Sequence, residues 1–301
     1  RCWSETLLSL SGMHIEQMPR LVEGSEQAAF LKPELAAKWG IEGSVIIGGG
    51  AGDNAASAIG MGVIQEGQAF LSLGTSGVIF AATDGYKPLP ESAVHAFCHA
   101  LPDTWHQMGV ILSATDALNW YAKLTGRSAA ELDAALKDEP TGPANVTFLP
   151  YLSGERTPHN DAQVRGMFVG LDHGSDQREL TQAVMEGVAF AIRDNLEALI
   201  AAGSTVNEII AVGGGSRSRF WLQTLANILN RTLLLPADGD FGAAYGAARL
   251  AMLADKKTSP RSILTQPKIE ARIEPNAALL DQYEVAYQRY RSIYPAIKSL
   301  N

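Results

Sequence analysis

One glycine-containing turn of this chain has residue types that bind phosphate. Residues 71–77 have the sequence LSLGTSG, in which Gly74, Thr75 and Ser76 separate two apolar runs. Backbone amides and hydroxyl groups in such a turn can converge on phosphate oxygens, and glycine permits close approach. The alternative is an ordinary hairpin turn with small residues at its tip.

A second glycine-rich segment follows a strand pattern. Residues 209–216 have the sequence IIAVGGGS, which places Gly213, Gly214 and Gly215 between an apolar strand and a helix. A nucleotide can lie against the backbone at such a helix start. A tight strand–helix connection is the alternative, and the spacing is not the GxGxxG of a dinucleotide-binding fold.

A carboxylate follows a third glycine-rich segment. Asp53 comes after residues 46–52, IIGGGAG, and precedes Asn54. A carboxylate at a helix start is often only a cap. The glycines leave space for a ligand, so Asp53 is also a candidate general base that deprotonates a hydroxyl group.

The elements that position these segments are strands alternating with helices, which predicts a mixed α/β domain. Residues 3–30 are predicted as helix and loop. The predicted strands are residues 44–47, 68–73, 78–82, 105–112, 208–212 and 232–235. The predicted helices are residues 53–64, 113–124, 129–135, 179–202, 220–229, 243–253 and most of 276–300, whose tyrosine stripe indicates core packing.

Composition limits the function classes. The net charge of -8 and the absence of a basic run argue against nucleic-acid binding. No apolar run approaches the length of a membrane span, and two cysteines, Cys2 and Cys98, fit a reducing compartment. We therefore expect a cytoplasmic protein with no membrane partner.

Two further groups have simpler interpretations. Glu155 and Arg156 are expected to form a local ion pair or a cleft wall. Four side chains could suggest a zinc site, but they lack the paired ligand spacing of such sites, so no metal site is predicted. These side chains are His95, Cys98, His99 and His106.

Residues 166–187, GMFVGLDHGSDQRELTQAVMEG, carry the strongest pattern. Their spacing resembles the signature of the FGGY carbohydrate kinases. The order of the other segments along the chain is also similar to that of the family, so the resemblance covers essentially the whole chain. These segments are Asp53, the turn at 71–77, the glycines at 213–215 and residues 238–248, with the signature between the turn and the glycines. It implies an actin-like (ribonuclease H-like) ATPase domain with a mixed sheet flanked by helices, plus the closing part of a preceding like domain.

The resemblance also implies roles and ligands. Asp53 takes the position of the catalytic base, Gly74 and Thr75 that of a phosphate loop, and Gly214 and Gly215 that of the adenosine loop. Residues 242–248 correspond to a connecting helix at a hinge. The implied ligands are ATP, Mg²⁺ and a small sugar bound in a cleft between two domains.

Two stretches of the sequence indicate which sugar is the phosphate acceptor. Residues 92–102, SAVHAFCHALP, and 148–159, FLPYLSGERTPH, are most similar to members that phosphorylate the ketopentose D-xylulose. Ribulose, gluconate, glycerol or a deoxysugar remains open as the acceptor. A non-kinase actin-like module that binds nucleotide as a switch is the alternative of another class.

The expected domains are residues 1–66, the end of a first, sugar-binding domain, and residues 67–301, a second, nucleotide-binding domain. The first phosphate loop of the family follows a strand that ends in Asp-x-Gly-Thr/Ser, and no predicted strand of this sequence ends in that motif; residues 172–175, DHGS, have the same letters but lie within the signature at 166–187. We therefore expect the chain to be the C-terminal part of such a kinase, to need a missing N-terminal domain or fragment as its partner, and to be inactive by itself. A homodimer is left open.

Overall fold

The structure is a computed structural model that describes residues 2–136, 139–237, 242–257 and 259–298. Its helices are α1 Glu5–Ser11, α2 Pro33–Lys38, α3 Asp53–Met61, α4 Thr115–Thr125, α5 Ala129–Ala134, α6 Gln177–Ala201, α7 Arg219–Leu229, α8 Ala243–Asp255, α9 Pro260–Ile263 and α10 Leu280–Ile297. Its strands are β1 Gln27–Phe30, β2 Ile46–Gly48, β3 Gly67–Leu73, β4 Gly77–Thr83, β5 His95–Cys98, β6 Trp105–Ile111, β7 Thr147–Leu149, β8 Met167–Val169, β9 Val206–Val212, β10 Thr232–Pro236 and β11 Ile269–Ile273. Within the described ranges, no helix is long and apolar enough to span a membrane.

The chain forms two compact units. The first contains residues Arg1–Gly60, Ala100–Pro102 and Gly242–Thr265, and the second contains Met61–His99, Asp103–Phe241 and Gln266–Asn301. The segment Gly242–Thr265 therefore belongs to the same unit as the first sixty residues. The domains expected from the sequence, 1–66 and 67–301, stay a prediction.

The second unit is built on a seven-stranded sheet in the order β11-β10-β9-β3-β4-β6-β5. Strands β3, β9 and β10 run parallel to one another, while β4, β5, β6 and β11 are antiparallel to their neighbours. The predicted mixed sheet flanked by helices is confirmed. Because β3 and β9 are adjacent and parallel, the segments that follow them leave the sheet at the same edge.

Helix α6 is the central helix of this unit, and most of its residues are buried. Its apolar positions recur at helical spacing, which is why the sequence predicted it within two residues at each end. A Cβ on Gly187 would lie 2.2 Å from the carbonyl oxygen of Phe148, so this helix approaches the backbone of β7 too closely for any side chain. In α10, Tyr283, Tyr287 and Tyr290 are buried, as predicted for core packing.

The first unit contains a small antiparallel pair, β1 and β2, and helices α3 and α8. The prediction that residues 3–30 form only helix and loop is wrong, because Gln27–Phe30 is a strand that pairs with β2. Helix α8 packs closely against α3, since a Cβ on Gly246 would lie 1.7 Å from the carbonyl oxygen of Ala56. Arg249 then donates through Nη1 to the carbonyl oxygens of Ile59 and Gly60, at 3.0 Å each.

Candidate functional site

The turn after β3 is fixed through its carbonyl groups. The carbonyl oxygen of Gly74 accepts from the Thr115 backbone N at 3.0 Å and from its Oγ1 at 2.8 Å. The carbonyl oxygen of Thr75 accepts from Ala114 N at 2.8 Å and from Asp116 N at 3.3 Å. The beginning of α4 therefore holds the turn from one side.

The amide groups of the same turn are open. The N–H groups of Gly74, Thr75 and Ser76 donate to no protein group within the described ranges, and Thr75 and Ser76 are exposed. Three consecutive open donors beside two hydroxyl groups form a suitable anion-binding surface. The role of Gly74, Thr75 and Ser76 in binding phosphate stays a prediction.

The glycines after β9 lie directly against β3. Gly213 has a φ of +95°, and a Cβ there would lie 2.7 Å from the carbonyl oxygen of Leu73. A Cβ on Gly215 would lie 3.0 Å from the Leu73 Cβ and 3.2 Å from the Cγ2 of Thr115. A Cβ on Gly214 would meet no atom within 4 Å. The structure thus brings the two predicted nucleotide-binding segments together in the second unit, with open space over Gly214.

A cavity of about 360 Å³ adjoins this loop. Helices α4, α5, α6 and α7 line it with Thr115, Leu118, Asn119, Ala129, Ala130, Asp133, Met185, Ser218 and Trp221, together with Gly214, Gly215 and Arg217 of the loop. The walls are mainly apolar, and a few polar groups converge on the space. That combination is typical of pockets that bind a small organic molecule.

Sequence reasoning missed the five polar side chains of this cavity, and three of them illustrate why. Thr115 lies at the start of α4, Asp133 lies on α5, and Ser218 caps α7 through its Oγ, which accepts from Trp221 N at 3.0 Å. Only Ser218 had a sequence signal, because serine is typical of the position before a helix. The contact that joins Ser218 to Asp133 spans 85 positions and leaves no trace in the local sequence.

Asp53 is the first residue of α3 and belongs to the first unit. Its Oδ1 accepts from Asn54 N at 2.8 Å and from Asn54 Nδ2 at 3.2 Å, while Oδ2 has no partner among the described residues. The preceding backbone is tightly placed, because a Cβ on Gly49 would lie 2.3 Å from the carbonyl oxygen of Glu23. The carboxylate is exposed and therefore accessible to a ligand.

Of the two roles expected for Glu155, the described residues do not show the ion pair, and the cleft wall stays a prediction. It is 2% exposed, and its Oε1 accepts from Leu112 N at 3.1 Å and from Arg156 N at 2.8 Å. Its Oε2 has no hydrogen-bond partner in the part of the chain that the structure describes. Burial raises the pKa of the Glu155 carboxyl to about 8. The described contacts do not include the expected ion pair with the Arg156 side chain; Glu155 instead holds backbone amides.

The histidines of β5 and β6 pack within the second unit. The His106 ring stacks on Phe80 with centroids 4.4 Å apart, and burial lowers its pKa to about 3. The Nε2 of His99 lies 3.1 Å from the carbonyl oxygen of Val63. The described residues contain no group of three or more His, Cys, Asp or Glu side chains placed to hold a metal ion.

The glycine-rich segment before α8 is described only in part. Residues 238–241, which belong to the family-like order, lie outside the described residues. Gly242 is the N-cap of α8, and residues 243–248 form its first turns in the first unit. Their proposed role at a hinge stays a prediction.

Comparison with family models gives two matches. The model of the C-terminal domain of the FGGY family of carbohydrate kinases matches residues 69–254, and the model of the N-terminal domain matches residues 1–60. The chain therefore carries segments of both domains, rather than of the C-terminal domain alone. For this reason, a separate partner fragment that supplies the whole first domain is not supported.

Individual proteins agree with these matches. The xylulose kinase of Escherichia coli (strain K12) is 44% identical over 302 residues, which cover 100% of this chain and 62% of that protein. The crystal structure of a xyloylose kinase from Brucella ovis has a TM-score of 0.97 and 59% identity over 99% of this chain and 62% of that one. A gluconate kinase from Lactobacillus acidophilus gives a TM-score of 0.86 and 28% identity, covering 98% and 60% of the two chains. The chain thus spans about three fifths of the length of these proteins.

Proposed function

Because this chain belongs to the FGGY family of carbohydrate kinases, we propose that it serves in the ATP-dependent phosphorylation of a sugar hydroxyl group. D-Xylulose is the proposed acceptor, and D-xylulose 5-phosphate is the product. The observation that carries the proposal is the placement of two glycine-rich segments at the ends of adjacent parallel strands β3 and β9. One offers open amides, and the other borders a cavity that can hold a nucleoside.

The nucleotide is proposed to bind in the second unit. The amides of Gly74, Thr75 and Ser76 would donate to phosphate oxygens, because their N–H groups have no protein acceptor among the described residues. Gly213, Gly214 and Gly215 would face the adenosine, since the backbone there is free of side chains and open over Gly214. Mg²⁺ is part of the proposal; it commonly binds substrate phosphates with one or two carboxylates, so it needs no three-ligand protein cluster.

Asp53 is proposed as the general base. Its carboxylate would accept the proton of the sugar hydroxyl as that oxygen bonds to the γ-phosphorus, and the bond from phosphorus to the bridging oxygen of ADP breaks. The proton stays on Asp53, and ADP leaves with the bonding electrons. The exposed carboxylate with a free Oδ2 supports this role, since a fully capped carboxylate would have no acceptor to spare.

The choice of D-xylulose rests on the relatives. The xylulose kinases of Escherichia coli and Staphylococcus xylosus match 97% or more of this chain, at 44% and 31% identity. D-Gluconate is the second candidate, because the gluconate kinase from Lactobacillus acidophilus has the same fold at a TM-score of 0.86. A nucleotide switch with no sugar acceptor would be supported only by nucleotide binding without sugar-dependent turnover.

The test is ADP release by the gene product that carries this chain, with D-xylulose and D-gluconate in parallel. We expect turnover with D-xylulose, at least 100-fold loss of kcat in Asp53→Asn from removal of the base, and little change in ATP affinity. Asp281→Asn is the matched control, because Asp281 is also an exposed carboxylate in the first turn of a helix. Turnover in Asp53→Asn equal to that of the control would refute the base assignment, and turnover with D-gluconate alone would replace the acceptor.

A further inference from the structure

The cavity beside Gly214 and Gly215 contains one carboxylate with a fixed orientation. Asp133 accepts through Oδ1 from the Oγ of Ser218 at 2.5 Å. The same Oγ accepts from Trp221 N at 3.0 Å, so it is held at the start of α7 and must direct its hydrogen toward Asp133. The Oδ2 of Asp133 has no partner among the residues described. One acceptor therefore remains for a ligand.

The walls around this carboxylate suit a flat ring. Ala129 and Ala130 share a face of α5 with Asp133, because positions three and four apart on a helix are neighbours. Met185 and Trp221 also line the cavity, and the indole Nε1 of Trp221 donates to the carbonyl oxygen of Met185 at 3.0 Å. The tryptophan is 1% exposed and fixed at both its backbone and its ring. The space is apolar on its sides and has a hydrogen-bond acceptor at its edge.

Different lining residues of the cavity contact the phosphate turn and the Asp133 carboxylate. Thr115 binds the carbonyl oxygen of Gly74 and thereby marks the phosphate end of the cavity. Asn119 lies one turn further along α4, and Asp133 lies on the next helix. A nucleotide whose phosphates lie on the turn would extend its base toward α5.

We propose that Asp133, oriented by Ser218, determines base specificity by accepting a hydrogen bond from the exocyclic amino group of adenine. This inference rests on the nucleotide site of the proposed function. Adenine presents an amino donor at C6, whereas guanine and hypoxanthine present a carbonyl oxygen there. A carboxylate accepts from the first and repels the second, because it has no hydrogen to donate.

A ribose contact is the competing use of the same carboxylate. Carboxylates bind ribose hydroxyl groups in many nucleotide sites. In this cavity, one oxygen already serves Ser218, and the lining residues that share a face of α5 with Asp133 are the apolar Ala129 and Ala130, which favours a single donor on a flat ring. The two uses make different demands on the nucleotide, so ligands that differ at one position can distinguish them.

The test is calorimetric binding of ADP, IDP and 2′-deoxyADP to the full chain. IDP retains the ribose and both phosphates of ADP but carries a carbonyl oxygen at C6. We expect the wild-type chain to bind ADP about 10- to 100-fold more tightly than IDP, as for loss of a hydrogen bond to a charged group. Asp133→Asn should reduce or invert this preference, because its amide can donate to the IDP carbonyl, and Asp133→Ala should abolish it.

Glu131→Gln is the matched control. Glu131 lies on the same helix but caps its start, accepting from Ser128 N, and glutamine preserves that capping pattern. Its ADP-to-IDP ratio should equal that of the wild type. An unchanged ratio in both Asp133 variants would overturn the inference, as would a change confined to the ADP-to-2′-deoxyADP ratio, which would assign Asp133 to the ribose. If the wild type bound neither ADP nor IDP, the nucleotide site itself would be wrong and this inference with it.

Discussion

The loop at residues 213–215 and the turn at residues 74–76 each begin with a glycine after a strand, but these two glycines meet different requirements. At Gly213, a Cβ would lie 2.7 Å from the Leu73 carbonyl oxygen, and the φ of +95° disfavours any other residue. At Gly74, the nearest atom to a Cβ would be the Ser76 carbonyl oxygen at 3.5 Å, an ordinary contact. Glycine is thus a packing requirement at position 213 of the loop, whereas the turn depends on which backbone groups stay open.

This difference separates stability from binding. Gly213 holds the loop against β3 by steric fit, so a larger residue at this position should disturb the sheet edge itself. The turn is held by four hydrogen bonds from the start of α4 to the carbonyl oxygens of Gly74 and Thr75. Substitutions in the loop should therefore change the free energy of unfolding, and substitutions in the turn should change binding.

Gly213→Ala should have the largest effect on stability. A positive φ costs a non-glycine residue about 1–2 kcal/mol, and the overlap with the backbone of Leu73 adds to it, so we expect a loss of about 3 kcal/mol or more in the free energy of unfolding. Urea denaturation of the full chain measures this loss. An unfolding midpoint within error of the wild type would show that the loop adjusts and that its glycine is not a packing requirement.

Glu155→Gln should change the pH dependence of stability. Glu155 accepts from Leu112 N, three residues before the Thr115 that holds the turn. Its pKa is about 8 in the folded chain and about 4.3 when unfolded, so between these values the folded state retains a proton that the unfolded state has lost. Stability from this group therefore falls as pH rises from about 4.3 to 8, by up to about 1.4 kcal/mol per pH unit.

Glutamine stays neutral, so Glu155→Gln should show a smaller decline across the same window in urea denaturation at several pH values. Glu186→Gln is a useful comparison, because burial raises the pKa of Glu186 to about 7. The contribution of Glu186 to the pH dependence of stability should therefore end about one pH unit lower than that of Glu155. Equal slopes in the wild type and Glu155→Gln would show that Glu155 retains its charge in the fold.

Much of this framework could be predicted from the sequence. The hairpin at β3 and β4, the long helix α6 and the glycines after β9 all carry local patterns, either alternation, helical spacing or a clear stop. The order of these segments was enough to indicate the family. Each of these features depends on residues that are close together in the chain.

The remainder depends on contacts between distant residues. Strands β1, β5, β7, β8 and β11 have three to five residues each and were not predicted, and each of them pairs with a partner strand. The burial of Glu155 and the contact from Ser218 to Asp133 arise in the same way. The sequence could therefore indicate the glycines of the candidate site but not the polar groups around its cavity.

Thr115→Val should have a smaller effect. It removes the hydrogen bond from Oγ1 to the Gly74 carbonyl oxygen but leaves the bond from Thr115 N. We expect a loss of about 1 kcal/mol in the free energy of unfolding, typical of one hydrogen bond, with weaker nucleotide binding because the turn is less fixed. Thr125→Val is the control, since Thr125 Oγ1 also bonds carbonyl oxygens of α4 but lies at its far end. A loss of affinity shared by the control would point to α4 as a whole.

Gly214→Ala should have the smallest effect on stability and still affect function. A Cβ there meets no protein atom within 4 Å, and its φ is not in the left-handed region, so the free energy of unfolding should change by less than about 0.5 kcal/mol. The methyl group would instead occupy the space proposed for the adenosine, and calorimetry should show at least a threefold loss of ADP affinity. Gly213→Ala and Gly214→Ala are thus adjacent, chemically identical changes with opposite expected outcomes. Unchanged ADP affinity in Gly214→Ala would remove the loop from the nucleotide site and leave it a purely structural connection between β9 and α7.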